Sequence, residues 1–352
     1  LSPENRREGG VEMKILFITS NRIGDAVLST GLLNHLIQQH PESQVTLACG
    51  PDAAPLFSQT PNVVKIIAFA KAKRRGHWYR LWKQVAGTRW DLVVDLRASA
   101  IAWTLSAKRR MIYRPRGTGH RVRHLSDFMG LDPPAPPVMW FGQTQVTAAK
   151  KAIPLGGLVL GIGPTANWGG KQWPGAKFSE LIQALTAPGA IFAEARVAVF
   201  GAALERRAAL SVLERIPRER RIDLVGQMDI LTSAACVQEC HMYIGNDSGL
   251  MHLAAAVGTP ALGLFGPSRE TMYGPWGDHC ASVRTVATFE ALSALPGFNP
   301  FHTKSLMDSL AVDVVEEAAI ALWQRAGSVN AGAGVPEVEP DDDTDIPVIV
   351  VS

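Results

Sequence analysis

Tyr243-Ile244-Gly245-Asn246-Asp247-Ser248-Gly249-Leu250-Met251-His252-Leu253-Ala254-Ala255-Ala256 reads as an apolar strand that passes through a small polar turn straight into a helix. A helix start carries backbone N–H groups with no intrahelical partner and the positive end of the macrodipole, and Gly249 lets a guest approach the backbone. The turn is therefore a cradle for an anion, and a phosphate or diphosphate suits it. His252 follows Ser248 by one helical turn, which carries its imidazole back toward the same anion. Asp247 and Ser248 are also favoured N-cap types, so the local pattern by itself leaves a purely structural reading open.

On either side of this stretch, short apolar strands alternate with amphipathic helices. Lys14–Ile18, Val45–Cys49, Val63–Phe69 and Trp90–Leu96 read as strands, with a helix over Ala26–His40 after the first. Pro133-Pro134-Ala135-Pro136-Pro137 interrupts the pattern, and the alternation restarts with strands Leu158–Gly163 and Arg196–Gly201 and helices Lys177–Leu185 and Leu204–Ile216. Met242–Gly245 and Ala261–Phe265 extend the second series, and Val312–Arg325 is the last helix. Such alternation predicts α/β architecture with two parallel sheets.

Asp-Ser-Gly-x-x-His-x-Ala-Ala at 247–255, then Gly258-Thr259-Pro260 and Leu264-Phe265-Gly266-Pro267-Ser268, resembles the nucleotide-sugar site of glycosyltransferase family 9, the lipopolysaccharide heptosyltransferases. The resemblance covers roughly Met13 to Arg325. It implies the GT-B fold, two Rossmann-like domains facing each other across a cleft: 13–150 for the acceptor and 151–326 for the nucleotide sugar. An arm at 1–12 and an acidic tail at 327–352 are expected to be disordered.

Transfer of a sugar from a nucleotide diphosphate requires a base for the acceptor hydroxyl and a stabiliser for the departing diphosphate. Asp25 lies in the loop Asn21-Arg22-Ile23-Gly24-Asp25 after the first strand, at the sheet edge where doubly wound folds place ligands. An Asp at a helix start is equally an N-cap; the resemblance implies that Asp25 is the general base. Lys171 stands in Lys171-Gln172-Trp173-Pro174, similar to the family's Lys-x-Trp-Pro pattern, and the resemblance makes it the cation that neutralises the diphosphate. Thr165 and Asn167 fall where the family contacts phosphate, although Ala166-Asn167 is not the paired Thr of some members. The resemblance further places Glu205 beside the ribose, whose hydroxyls a carboxylate can accept, Met228 against the base, and Asp247, Ser248, Gly249 and His252 around the donor. A first-turn acid and a core methionine are the plain alternatives for Glu205 and Met228. Asp-x-Asp occurs only within the acidic tail, at 341–343 and 343–345, and the histidines are scattered, so metal-independent, inverting chemistry with no cofactor is the expectation. A dinucleotide oxidoreductase loses its support, because no G-x-G-x-x-G follows the first strand.

With 352 residues, 47% of them hydrophobic, the chain can bury two cores, and no apolar run reaches the ~20 residues of a membrane span. The four cysteines, Cys49, Cys236, Cys240 and Cys280, do not form a disulfide framework. Charge is segregated: Lys71 to His124 holds fifteen Lys/Arg against two acids, and Ala331 to Ser352 holds six acids and no base. The segment Lys71–Lys83 interleaves its cations with Trp78 and Trp82, a pattern that suits an anionic surface. Since the resembling enzymes act on an anionic glycolipid, Lys73, Arg74, Arg75, Arg121 and Arg123 are the expected acceptor contacts. The expected setting is the cytoplasm, peripherally on the inner face of the cytoplasmic membrane, with no nucleic acid as partner. The sequence thus reads as a transferase moving a heptose or related sugar from an ADP-sugar to a lipopolysaccharide core acceptor. Another donor or glycan acceptor, or a non-catalytic nucleotide-sugar binder at the membrane, stays open.

Overall fold

Lys14-Ile15-Leu16-Phe17-Ile18 lies with four of its five residues buried, as a run apolar on both faces must. The structure is a computed structural model that describes residues 12–70, 76–115, 117–299, 304–330 and 347–351. Its strands, in chain order, are β1 (Lys14–Ile18), β2 (Gln44–Cys49), β3 (Val63–Phe69), β4 (Trp90–Asp95), β5 (Ala107–Ile112) and β6 (Val159–Gly163). Then follow β7 (Arg196–Val199), β8 (Arg221–Asp223), β9 (Met242–Asn246), β10 (Ala261–Phe265), β11 (Cys280–Arg284) and β12 (Val348–Val351). They form two six-stranded sheets of order β12-β3-β2-β1-β4-β5 and β11-β10-β9-β6-β7-β8, and every pairing is parallel.

The first sheet belongs to a compact unit that runs up to Arg22, resumes over Leu32–Pro115 and takes its last strand from β12. One face is packed by Leu16, Ile18, Ile67, Phe69, Leu81, Val85, Val93 and Ile101. The second unit takes Ile23–Gly31 and everything from residue 116 up to the segment before β12. Its sheet is covered on both faces. Trp173, Phe178, Leu181, Phe192, Val212 and Leu322 fill one layer, and Phe200, Cys236, Tyr243, Met251 and Phe265 fill the other.

The structure corrects the sequence expectations in several places. The helix expected over Ala26–His40 is two helices, Ile23–Val27 and Thr30–Gln39. Ser29 Oγ and Thr30 Oγ1 donate to the carbonyls of Ala26 and Val27 at 2.7 Å, and such back-bonding competes with helix continuation. Gly31 lies where a Cβ would meet the Ala135 and Pro136 carbonyl oxygens at 2.4 and 2.5 Å, and Thr30 Oγ1 accepts from the Val138 N–H. Those contacts fix Ile23–Gly31 in the second unit. The division drawn at 150/151 differs as well: the first unit's long central run stops at Pro115, and the helix Gln143–Ala152 packs through Ala149 into the second core. The tail expected to be disordered contains the end of the helix Val312–Asn330 and also β12, whose Val348-Ile349-Val350-Val351 pairs with Ile66–Phe69. The remainder of the tail apart from Pro347, and the arm apart from Glu12, lie outside the described residues. So do Lys73, Arg74 and Arg75. In the helix Gly76–Val85, Trp78 does not share the outer face with Trp82: it packs against Phe69 and His77, and the exposed pair is Tyr79 with Trp82.

Candidate active site

The order β11-β10-β9-β6-β7-β8 reverses direction between β9 and β6, and at such a switch point the loops beyond two adjacent strand ends splay apart to leave a crevice. Every residue of the second unit that the sequence singles out for the donor comes from a loop at this carboxyl edge or from a helix that follows it. Thr165, Asn167 and Lys171 follow β6, Glu205 follows β7, Met228 follows β8, and Asp247 to His252 follow β9.

Lys171 is held from both sides. It ends a short 3₁₀ turn, Gly169–Lys171, in which a Cβ on Gly170 would come within 2.5 Å of the Trp168 ring; that ring lies 5.7 Å from Lys171 Nζ. Downstream, fully buried Trp173 anchors the loop: its N–H donates to Asn246 Oδ1 at 3.0 Å and its indole N–H to the Leu310 carbonyl at 3.0 Å. The Lys171 ammonium therefore reaches across the switch point to Asp247, Nζ to Oδ2 2.5 Å, with only 18% and 7% of the two side chains exposed.

Beyond Asp247 the helix Gly249–Ala256 begins. Ser248 occupies its N-cap with extended backbone (φ −146°) and makes no side-chain cap bond, so the N-cap alternative for its hydroxyl is not realised. The first-turn N–H groups therefore receive no acceptor from the cap side chain. Beneath the loop lies Tyr243, with no exposed surface. Gly163 and Gly245 are glycines because a Cβ would lie 1.8 and 2.6 Å from its hydroxyl oxygen. Burial raises the phenol above its ordinary value of 10.0, with Ser248 beside it opposing the rise.

Asp25 sits inside the helix Ile23–Val27 and not at its cap, half-buried, with a carboxylate that makes no hydrogen bond among the described residues. That helix packs on the start of the helix Gly249–Ala256. A Cβ on Gly24 would lie 2.7 Å from His252 Cδ2, and one on Gly249 would lie 2.6 Å from Ile23 Cγ2. His252 is buried, its Nδ1 has no hydrogen-bond partner, and burial pushes its pKa down to about 4. Asp247 and Asp25 oppose that shift, while His120 and Lys171 add to it. Asp25, Lys171, Asp247 and His252 thus share one electrostatic neighbourhood.

Glu205 and Thr165 form a second cluster. Glu205 Oε2 accepts from Thr165 Oγ1 at 2.8 Å and from the Ala202 N–H at 2.9 Å, leaving Oε1 without a protein donor. Asn167 is exposed and makes no side-chain hydrogen bond among the described residues. Met228 packs at the edge of the core with its sulfur 3.3 Å from Cys236 Sγ. Arg121 and Arg123 lie in the first turn of the helix Arg121–Met129, half-buried and exposed respectively. Among the described residues no three of His, Cys, Asp and Glu are grouped to hold a metal ion.

Two site residues escape the sequence reading. Asn246, fully buried at the end of β9, holds the Lys171 loop in place while its Nδ2 has no partner; the signal was a lone amide in an apolar strand. His120 N-caps the helix Arg121–Met129 through Nδ1, meets the Gly274 carbonyl through Nε2 at 2.8 Å and packs on Trp276. Nothing local distinguishes it within a run of basic residues.

Two doubly wound α/β units are the parts of a GT-B fold, and the second carries a cation and an open helix start at its switch point. The model of glycosyltransferase family 9 (heptosyltransferase) matches residues 119–292. Lipopolysaccharide heptosyltransferase 2 of Salmonella typhimurium is 24% identical over 347 residues, covering 87% of this chain and 97% of that protein. A family 9 glycosyl transferase structure from Veillonella parvula superposes with a TM-score of 0.74 at 19% identity, over 90% of this chain and 98% of that one. The E. coli ADP-heptose lipopolysaccharide heptosyltransferase II gives 0.69 at 20%, over 90% and 100%. By these likenesses the chain is similar to glycosyltransferase family 9, in its second unit by the family model and along most of its length by the relatives.

Proposed function

We propose that this glycosyltransferase moves a heptose from an ADP-sugar to a lipopolysaccharide core acceptor, with inversion at the anomeric carbon and without a metal ion. The observation that carries the reading is the Lys171–Asp247 pair, set at the switch point in front of the uncapped helix start at Gly249. There a diphosphate gains a fixed cation and oriented N–H donors as its bridging bond breaks. Asp25, with a carboxylate no neighbour occupies, takes the proton of the acceptor hydroxyl. The hydroxyl oxygen then attacks the anomeric carbon, the bond to the diphosphate oxygen breaks on the opposite face, and the electron pair leaves with ADP. Glu205 Oε1 and Thr165 suit the ribose hydroxyls and the phosphate, with Asn167 and Met228 flanking. Lys73, Arg74, Arg75, Arg121 and Arg123 meet the anionic acceptor. The donor and acceptor follow the names of the relatives, and the family's charge-neutralising lysine is here already clamped in place.

The same reading sets the enzyme peripherally on the inner face of the cytoplasmic membrane. Among the described residues no helix is long and apolar enough to cross a membrane. The exposed Tyr79 and Trp82 stack on one helix, with Lys83 over the Tyr79 ring and Arg80 exposed between them, and form an aromatic and cationic surface on the first unit.

The test is mass spectrometry of products after incubation with ADP-heptose and with other nucleotide sugars, using core acceptors of defined length. A mass gain of one heptose with ADP-heptose, unchanged by EDTA, is expected. Transfer from a different nucleotide sugar alone, or loss with EDTA and recovery with Mg²⁺, would overturn the donor or the metal-free step respectively.

A further inference from the structure

We infer that His252 is a positioning residue for Asp25, a neutral spacer that sets the height of the carboxylate beside the anion cradle, and not a ligand of the anion. The inference rests on the reading of Asp25 as the base.

The helix Ile23–Val27 has five residues, too few to hold a direction by its own hydrogen bonds. Its orientation comes from packing, and the packing is reciprocal. Gly24 abuts the Cδ2–Nε2 edge of His252, with a virtual Cβ at 2.7 and 3.2 Å, while Gly249 abuts Ile23. Two glycines, one on each helix, let the two first turns approach as closely as backbone allows, and the imidazole is the solid part of that contact. Asp25 is the next residue after Gly24, so any displacement of the ring is passed to the carboxylate across one peptide unit.

The chemistry of the ring agrees. Its Nδ1 is sealed without a partner, so the ring is held by shape and not by a hydrogen bond there. Asp25, Asp247, His120 and Lys171 face it. A charged imidazolium would attract Asp247 and, more weakly, Asp25, and so hold the Asp25 carboxylate in its charged, non-basic form; the uncharged ring exerts no such pull.

Three variants test the assignment, with ADP affinity by calorimetry and kcat at saturating donor and acceptor. His252→Ala is expected to lower kcat roughly 10²-fold, the scale of a ~1 Å misplacement of a reacting group, while ADP affinity stays within about threefold. His252→Phe, which refills the space with an uncharged ring, is expected to regain most of the lost kcat. Gly24→Ala forces the same displacement from the other side and is expected to lower kcat with ADP affinity kept. If His252 were an anion ligand, Ala and Phe would both weaken ADP about tenfold or more, and that result overturns the proposal. A Phe variant as slow as Ala, or a fully active Gly24→Ala, does so too. Should the native chain transfer no sugar from any donor offered, the functional reading fails, and the calorimetric arm still decides whether His252 touches the anion.

Discussion

Replacing Lys171 by Ala removes one member of a pair whose atoms lie 2.5 Å apart and whose partner, Asp247, is 7% exposed. Two effects add. The diphosphate loses a cation, and a near-buried carboxylate is left unpaired beside the anion. At about 4 Å and an effective dielectric of about 20, one unit charge acts on another with about 4 kcal/mol. Removing one partner of a well-buried pair costs roughly 3–5 kcal/mol, and the 18% exposure of Lys171 screens part of that. A loss of about 2–3 kcal/mol in ADP binding follows, roughly 30- to 140-fold in Kd at ~1.4 kcal/mol per decade. The double variant Lys171→Ala/Asp247→Asn lacks the unpaired carboxylate and should recover about tenfold of it. Calorimetry with ADP at one fixed salt concentration measures both. Affinity within threefold of native for Lys171→Ala, or a double variant no tighter than the single, would refute the reasoning.

Asp25→Asn should bind ADP normally and turn over ~10²–10⁴ more slowly, as loss of a general base requires; native kcat at saturation would remove the role. Burial holds His252 near 4 against an ordinary 6.5, so between those pH values the unfolded chain binds a proton that the folded chain declines. Stability should therefore rise with pH through that window, by up to roughly 3 kcal/mol from this residue, and His120 and His241, also lowered, act in the same direction. Urea midpoints from pH 4 to 7 check the sign, and a falling trend contradicts it. Replacing Arg80 and Lys83 by Gln should weaken binding to anionic vesicles by about tenfold or more, at ~1 kcal/mol per cation, without changing ADP affinity; unchanged vesicle binding at moderate salt removes the helix Gly76–Val85 from the membrane surface.

The strands legible in the sequence are the inner ones. β1, β2, β3, β4, β6, β7, β9 and β10 carry the apolar runs of strands buried on both faces. The four that were missed, β5, β8, β11 and β12, are the four outermost strands of the two sheets. Ala107-Lys108-Arg109-Arg110-Met111-Ile112 shows why: an edge strand faces solvent on one side and carries charge, so its pattern is that of a loop. The candidate site was legible where residues follow one another, in Asp247 to His252 and in Lys171 to Pro174. It was opaque where the fold brings distant residues together. Nothing in the spacing of Gly24 and His252 announces that they touch, and Asn246 differs from an N-terminal turn residue only through the loop it ties down. The split of the first expected helix likewise depends on Gly31 meeting carbonyls more than a hundred residues away.

β12 has one more consequence. It is paired to β3 along Val348–Val351, and on the other side of β3 lies β2. Shorten the chain by its last half-dozen residues and Val63-Val64-Lys65-Ile66-Ile67-Ala68-Phe69 becomes a terminal strand with an open row of amides and one charge. That is a self-templating surface. Versions of this enzyme that lack β12 should keep donor binding yet be prone to associate.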